Sequence, residues 1–194
     1  MEAVDTWILP ALVGLGLAAA CGLKTFLPLL MLAVVARFQM FGIALNDSFA
    51  WLASTPALVA LALATVLELA ADKVPVLDHA LSAVGTVARP VAGVVAAGAL
   101  FAHLDPATAA LAGIIVGAPT AFAFNAAQGA TRVASTATTG GLANPLFSLV
   151  DDVLSFLTAA VALVLPLLVL PLLAAMLWVA WKLWRRARGT RPVS

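Results

Sequence analysis

Six apolar runs dominate this chain, at residues 7–36, 51–71, 80–102, 107–130, 146–165 and 167–184. Each meets or approaches the roughly 20 residues that a helix needs to cross the hydrocarbon core of a bilayer. With 64% hydrophobic residues, 10% charged ones and a mean hydropathy of +1.12, a soluble fold cannot hide so much apolar surface. The runs do not alternate apolar with polar residues, as barrel strands do. The expected fold is therefore all-α and integral to the membrane: one domain over 1–185, then a basic tail at 186–194.

Charge inside those runs is the second constraint. Lys24, Glu68, Asp72, Lys73, Asp78, His79, Arg89, Arg132, Asp151 and Asp152 all fall within or beside them. An ionisable group at the bilayer centre costs about 2.5–3.5 kcal/mol on insertion scales, and such groups usually pair, line wet cavities or carry function. The remaining charge sits at the ends. Glu2 and Asp5 stand where a signal peptide would be basic, so none is expected. Lys182, Arg185, Arg186, Arg188 and Arg191 crowd the C-terminus beside Trp178, Trp181 and Trp184. That pattern places the C-terminus in the cytoplasm, with the protein in the inner membrane and tryptophans in the interfacial belt. It also suits anionic lipid, at about 1 kcal/mol per cation near the surface. The single cysteine, Cys21, reads as packing.

Prolines mark the helix starts. Thr55-Pro56, Asp105-Pro106 and Asn144-Pro145 each put a capping residue before a proline at the first helical position. Pro75 is expected to end the helix that carries Glu68, Asp78 to cap the next one, and Arg89-Pro90 to kink it. Residues 7–41 are too long for one span and too short for two. The Gly, Lys and Pro between Gly22 and Pro28 predict a broken or re-entrant hairpin, with one tilted helix as the alternative.

Gly117-Ala-Pro-Thr120 interrupts the second half in the same way. A shift of 95 positions pairs Gly22 with Gly117, Thr25 with Thr120 and Arg37 with Arg132; a rival register pairs Glu68 with Asp151. An internal repeat with halves 5–103 and 104–185 follows, of the kind that builds transporter sites at the midplane. The expected bundle has about four full spans and two re-entrant hairpins, at 7–37 and 106–132. Arg37, Arg132 and the tail then all lie on the cytoplasmic side.

Glu68 and Asp72 are four apart and share a helix face. Two close carboxylates in low dielectric need a cation or a proton, and Lys73, Arg89 and Lys24 are the candidate partners. Proximity to water at a helix end is the simpler explanation. Asp151 and Asp152 are placed in a first helical turn, where the dipole favours acids, with at least one pointing inward. Lys24 and Thr25 at the first break, with Thr120 at the second, could meet an anionic group; Lys24 snorkelling to an interface is the alternative. Asn125 and Gln128 could line the same cavity or simply bond between helices. Phosphate loops, metal-ligand spacings and nucleophile motifs are absent, so no cofactor, metal, enzymatic activity or nucleic-acid partner is expected.

The segments Gly22-Leu-Lys-Thr-Phe-Leu-Pro-Leu29, Leu67-Glu-Leu-Ala-Ala-Asp-Lys-Val-Pro75, Asp78-His79 and Arg89-Pro90 resemble the bacterial membrane-protein family catalogued as domain of unknown function 4126. The likeness covers roughly residues 8–165 and is sharper in the first half. It implies that Lys24, Thr25, Glu68, Asp72, Lys73, Asp78, His79 and Arg89 form a polar signature, and it implies no activity.

Two functions compete. One is a transporter or flippase for an anionic or zwitterionic small molecule or lipid, coupled to protons through Glu68. Its pathway runs past Lys24, Thr25, Glu68, Asp72, Thr120 and Asp151, with Lys73, Asp78, His79, Arg89 and Arg132 in support. The other is a non-transporting scaffold that binds lipid or a partner. Charges converging on a wet cavity favour the first; charges closed into tight pairs favour the second. A homo-oligomer is expected, because so small a bundle does not enclose a polar path alone.

Overall fold

A computed structural model describes the backbone of residues 4–72 and 75–189, with side chains except at positions 5, 75–83, 183, 184 and 186–189. Lys73 therefore lies outside the described residues, as do the side chains of Asp78 and His79. Every element among the described residues is helical. A π-type turn at Val4–Ile8 leads into α1 (Leu9–Leu23), which breaks before α2 (Phe26–Arg37). Two 3-10 turns, Met40–Gly42 and Asp47–Ala53, precede α3 (Thr55–Ala71). Then come α4 (Pro75–Gly98), α5 (Pro106–Thr139), α6 (Asn144–Val164), a 3-10 turn at Pro166–Leu168, and α7 (Val169–Gly189).

Thr6–Leu23, Pro106–Thr139 and Asn144–Val164 are long and apolar enough to cross a membrane. A fourth span results if Asp47–Ala53 and Thr55–Ala71, bent by 64° at their junction, count as one.

α1 is the axis of the bundle, and its small residues explain why. Leu17 and Ala18 through Cys21 have no exposed surface. A Cβ on Gly14 would lie 3.1 Å from the Ala97 Cα of α4, and one on Gly16 would lie 2.6 Å from the Ala162 Cβ of α6. On Gly22 it would lie 2.5 Å from the Ala121 carbonyl of α5. α4 and α5 meet the same way, Gly93 against Gly117 and Gly98 against Gly113. In lipid, where burial from water gives no drive, backbone approach at small residues is what binds helices.

The helices alternate in direction. Leu9, Ala44, His103 and Leu165 line one cleft, so the start of α1, the segment after α2 and the ends of α4 and α6 share one end of the bundle. Lys24 meets Asp72 just past α3 and Ser148 in the first half of α6, toward the other end. α7 turns back from Val169, beside Gly16, to Met176, whose sulfur accepts from the Thr158 hydroxyl at 3.7 Å.

Several expectations change. α5 is one 34-residue helix through Gly117-Ala-Pro-Thr120, so the second half has no counterpart of the first break. Gly117 serves close approach to Gly93, and the Thr120 hydroxyl bonds the Val116 carbonyl of its own helix at 2.7 Å. Arg37 lies at the end opposite Arg132, donating to the Ala53 carbonyl at 3.3 Å. α3 is capped by Ser54, which accepts from the Ala57 N–H, and not by Thr55. α3 ends at Ala71, and Pro75 opens α4 instead of closing α3. Asn144 is not a cap either: Ala143 takes that position, and the Asn144 amide donates to the Thr136 hydroxyl at 3.1 Å. Asp105 caps α5 as expected, accepting from the Ala107 and Thr108 N–H groups at 3.1 Å.

Candidate functional site: a buried ionic network at a helix break

The site grows from the way the chain passes from α1 to α2. Lys24 is extended (φ −138°, ψ 133°), which ends α1 and leaves the first N–H groups of α2 without intrahelical partners. Thr25, the N-cap of α2, offers no side-chain cap. The missing acceptor comes from another helix. Glu68 of α3 receives the Thr25 N–H at 2.8 Å and the Phe26 N–H at 3.1 Å, one on each carboxylate oxygen. An anion at a helix N-terminus also meets the positive end of the dipole. Glu68 is thus locked by backbone, where the sequence had suggested a cation.

Lys24 has no exposed surface. Its ammonium donates to Asp72 Oδ2, lies 2.6 Å from Asp152 Oδ1 and donates to the Ser148 hydroxyl at 3.3 Å. Ser148 in turn donates to Asp72 Oδ2 at 3.2 Å. Snorkelling is excluded, because the ammonium is enclosed by α3 and α6. Of the three cations proposed for Glu68 and Asp72, it is Lys24 that pairs with Asp72.

A second node flanks the break from α5. Arg89 donates to Asn125 Oδ1 at 2.8 Å and to Gln128 Oε1. The Gln128 amide donates to Asp151 Oδ2 at 2.5 Å and to the Leu23 carbonyl at 3.2 Å. That carbonyl is one of those left over at the end of α1, so Gln128 finishes α1 as Glu68 begins α2. Arg132 Nη2 lies 3.6 Å from Asp151 Oδ2.

Asp151 and Asp152 are not in a first turn, as the sequence had suggested. α6 begins at Asn144, and both acids project into the network from its second and third turns. Thr120 makes its bond within α5, to the Val116 carbonyl. Ser148 was the residue least expected here. Its signal was its spacing with Asp152 and Ser155 on one face of α6; Ser155 donates to the Ala20 carbonyl at 3.0 Å.

Among the described residues, three cations (Lys24, Arg89, Arg132) stand with four carboxylates (Glu68, Asp72, Asp151, Asp152). The Nε of Arg89 is buried without a hydrogen-bond partner. Two cavities lie elsewhere. One, of about 810 Å³, opens at the far end between Leu9, Ile43, Leu100 and Leu165, with His103 as its titratable group. The other, about 530 Å³, lies between Trp7, Leu15 and Ile115 and is apolar throughout. Among the described residues no three His, Cys, Asp or Glu are placed to hold a metal.

The family model described as domain of unknown function (DUF4126) matches residues 11–186, which spans the whole network. The chain belongs to this family. No curated protein and no solved structure matches it. The DUF4126 chain thus combines apolar helices fit to cross a membrane with a charged network buried at the α1–α2 break.

Proposed function

We propose that this DUF4126 protein is a small transporter or flippase for an anionic or zwitterionic molecule, its polar site closed in the conformation described above. The observation that carries this reading is a deeply buried charged network at a helix break in which, among the described residues, Arg89 Nε has no hydrogen-bond partner. A structural lock gains nothing from an unpartnered buried guanidinium nitrogen, since replacing buried ion pairs by apolar packing is often neutral or stabilising. A site that exchanges a proton or an anionic group needs such slack. The break itself supports this, because irregular backbone at membrane depth is tolerated only where protein or water covers it. In this reading α1 and α2 form a re-entrant hairpin in the inner membrane, and the basic tail faces the cytoplasm.

Closure favours a second reading, a non-transporting scaffold that holds lipid or a partner. Lys24 is enclosed, and both cavities lie away from it. The tail suits lipid contact, with Lys182 stacked 4.7 Å over Trp178 and Arg185 4.7 Å over Trp181.

Purified protein in phosphatidylethanolamine–phosphatidylglycerol vesicles separates the two. Transport predicts faster dithionite bleaching of inner-leaflet fluorescent phosphatidylglycerol, or movement of protons with small organic anions, lost in Lys24→Met. Vesicles that match protein-free controls in every channel, from protein that still retains anionic lipid on purification, leave the scaffold.

A further inference from the structure

The carboxylate of Glu68 joins α3 to the start of α2. It is the sole described acceptor for the Thr25 and Phe26 N–H groups, and it reaches them from α3, 43 and 42 residues away in sequence. We propose that Glu68 is a proton-sensitive latch: ionised, it holds the α1–α2 break closed against α3; protonated, it releases the start of α2 and opens the site.

An ionised carboxylate offers two acceptor oxygens and uses both here. A protonated one turns one oxygen into a donor, so it no longer serves both N–H groups. The groups set free have no side-chain cap to fall back on, because Thr25 provides none. A buried N–H without a partner is costly, so the break must move until water or an anionic group serves it.

The charged and titratable groups around Glu68 set what the latch senses. Among the described residues these are Cys21 of α1, Lys24 at the break, Asp72 just past the end of α3 and Arg89 of α4. Arg132 of α5 and Asp151 and Asp152 of α6 complete the network. Asp72 already occupies Lys24, and Gln128 and Asn125 occupy Arg89 Nη1. Among the described residues no cation forms an ion pair with Glu68, and backbone N–H groups are the donors at its carboxylate. An added proton then breaks a cap, where in a salt bridge it would break an ion pair.

This inference deepens the transport reading by naming its gate, yet it is testable without a substrate. Hydrogen–deuterium exchange on the full chain in phosphatidylethanolamine–phosphatidylglycerol nanodiscs reads the two amides directly, after correction for the intrinsic pH dependence of exchange. In the wild type, peptides covering Thr25 and Phe26 should exchange slowly at about pH 7.5 and at least about tenfold faster at about pH 5. Glu68→Gln should exchange fast at both pH values. Glu68→Asp, one methylene shorter but still acidic, should be intermediate and keep the pH response. Amides at the Gly93–Gly117 crossing serve as the folding control and should stay protected throughout. If Glu68→Gln does not fold, the wild-type titration alone decides. A wild type indifferent to pH at Thr25 and Phe26 overturns the latch, as does a pH response that persists in Glu68→Gln. A latch that opens while the vesicles show no flux leaves the latch standing and removes the transport reading.

Discussion

Substituting Lys24 tests whether the network is held by its lysine or by its acids. The ammonium serves Asp72 and Asp152 together, the latter at 2.6 Å. At an effective dielectric of about 20, a unit pair near 3 Å interacts by roughly 5 kcal/mol before desolvation is counted. Lys24→Met removes the cation and leaves two carboxylates facing each other, with Ser148 still bonded to Asp72 alone. Stripping one partner from a buried ion pair costs about 3–5 kcal/mol. Asp72→Asn is different. It leaves Lys24 with Asp152 and with the Ser148 hydroxyl at 3.3 Å, and the amide oxygen can still accept. A cost of about 1–2 kcal/mol is expected, the scale of single polar contacts between membrane helices. Combining the two substitutions should cost less than their sum, since the double variant carries one carboxylate fewer. Reversible unfolding in mixed micelles, followed by tryptophan fluorescence, gives all three values. An Asp72→Asn variant as unstable as Lys24→Met, or strict additivity, would refute the argument that one ammonium is shared.

Other outcomes follow from features away from Lys24. Gly113→Ala places a Cβ 2.6 Å from the Val94 carbonyl and should lose about 1–3 kcal/mol through overpacking. Gly129→Ala meets nothing within 4 Å and should be neutral or gain up to about 1 kcal/mol in helix propensity, measured by the same unfolding assay. The Asp105 carboxyl is held below its usual range by the Thr108 side chain first and then by the Thr108 and Ala107 N–H groups. Its folded-state pKa is lowered, so the cap is fully effective above the unfolded value of about 3.9 and fades as pH falls through the folded one. Amide exchange at Ala107 and Thr108 should therefore accelerate below about pH 4 in the wild type, and Asp105→Asn should remove that acid dependence. Single cysteines at Val4 and Arg185, in a Cys21→Ala background, should label from opposite sides of sealed vesicles, because the seven α-helices among the described residues alternate in direction. Labelling of both from one side would refute the alternating path.

Much of this was written in residue types, and some of it only in distances. The apolar runs announced the helices, and Gly22 to Pro28 announced the break at Lys24 and Thr25. The same vocabulary misled at Gly117-Ala-Pro-Thr120. A glycine in an apolar segment can permit a break or a close crossing, and only the neighbour distinguishes them. Gly117 lies against Gly93 from 24 positions away, which no local pattern records. The partners of Lys24 were hidden for the same reason: Asp72 and Ser148 are 48 and 124 residues distant. Asp151 and Asp152 were misplaced because Gly140 and Gly141, both at positive φ, turn the chain early and start α6 about two turns before them. What was legible was the polar face itself. Asn125, Gln128 and Arg132 recur at helical spacing on α5, and all three join the network.

The distance between Lys24 and α6 also has a consequence in time. Ser148 and Asp152 belong to a helix made long after the lysine has entered the membrane, 124 residues later in the case of Ser148. At about 5–20 residues per second, roughly 6–25 s separate the two events during synthesis. Through that interval the ammonium has Asp72 at most, and before α3 emerges it has no acid from the network at all. The nascent chain must spend those seconds with a charge waiting in or near lipid, sheltered by the insertion machinery or by water at the interface. Assembly of this bundle is thus ordered by the ribosome: the last acid to arrive is the one that completes the pairing of the first cation.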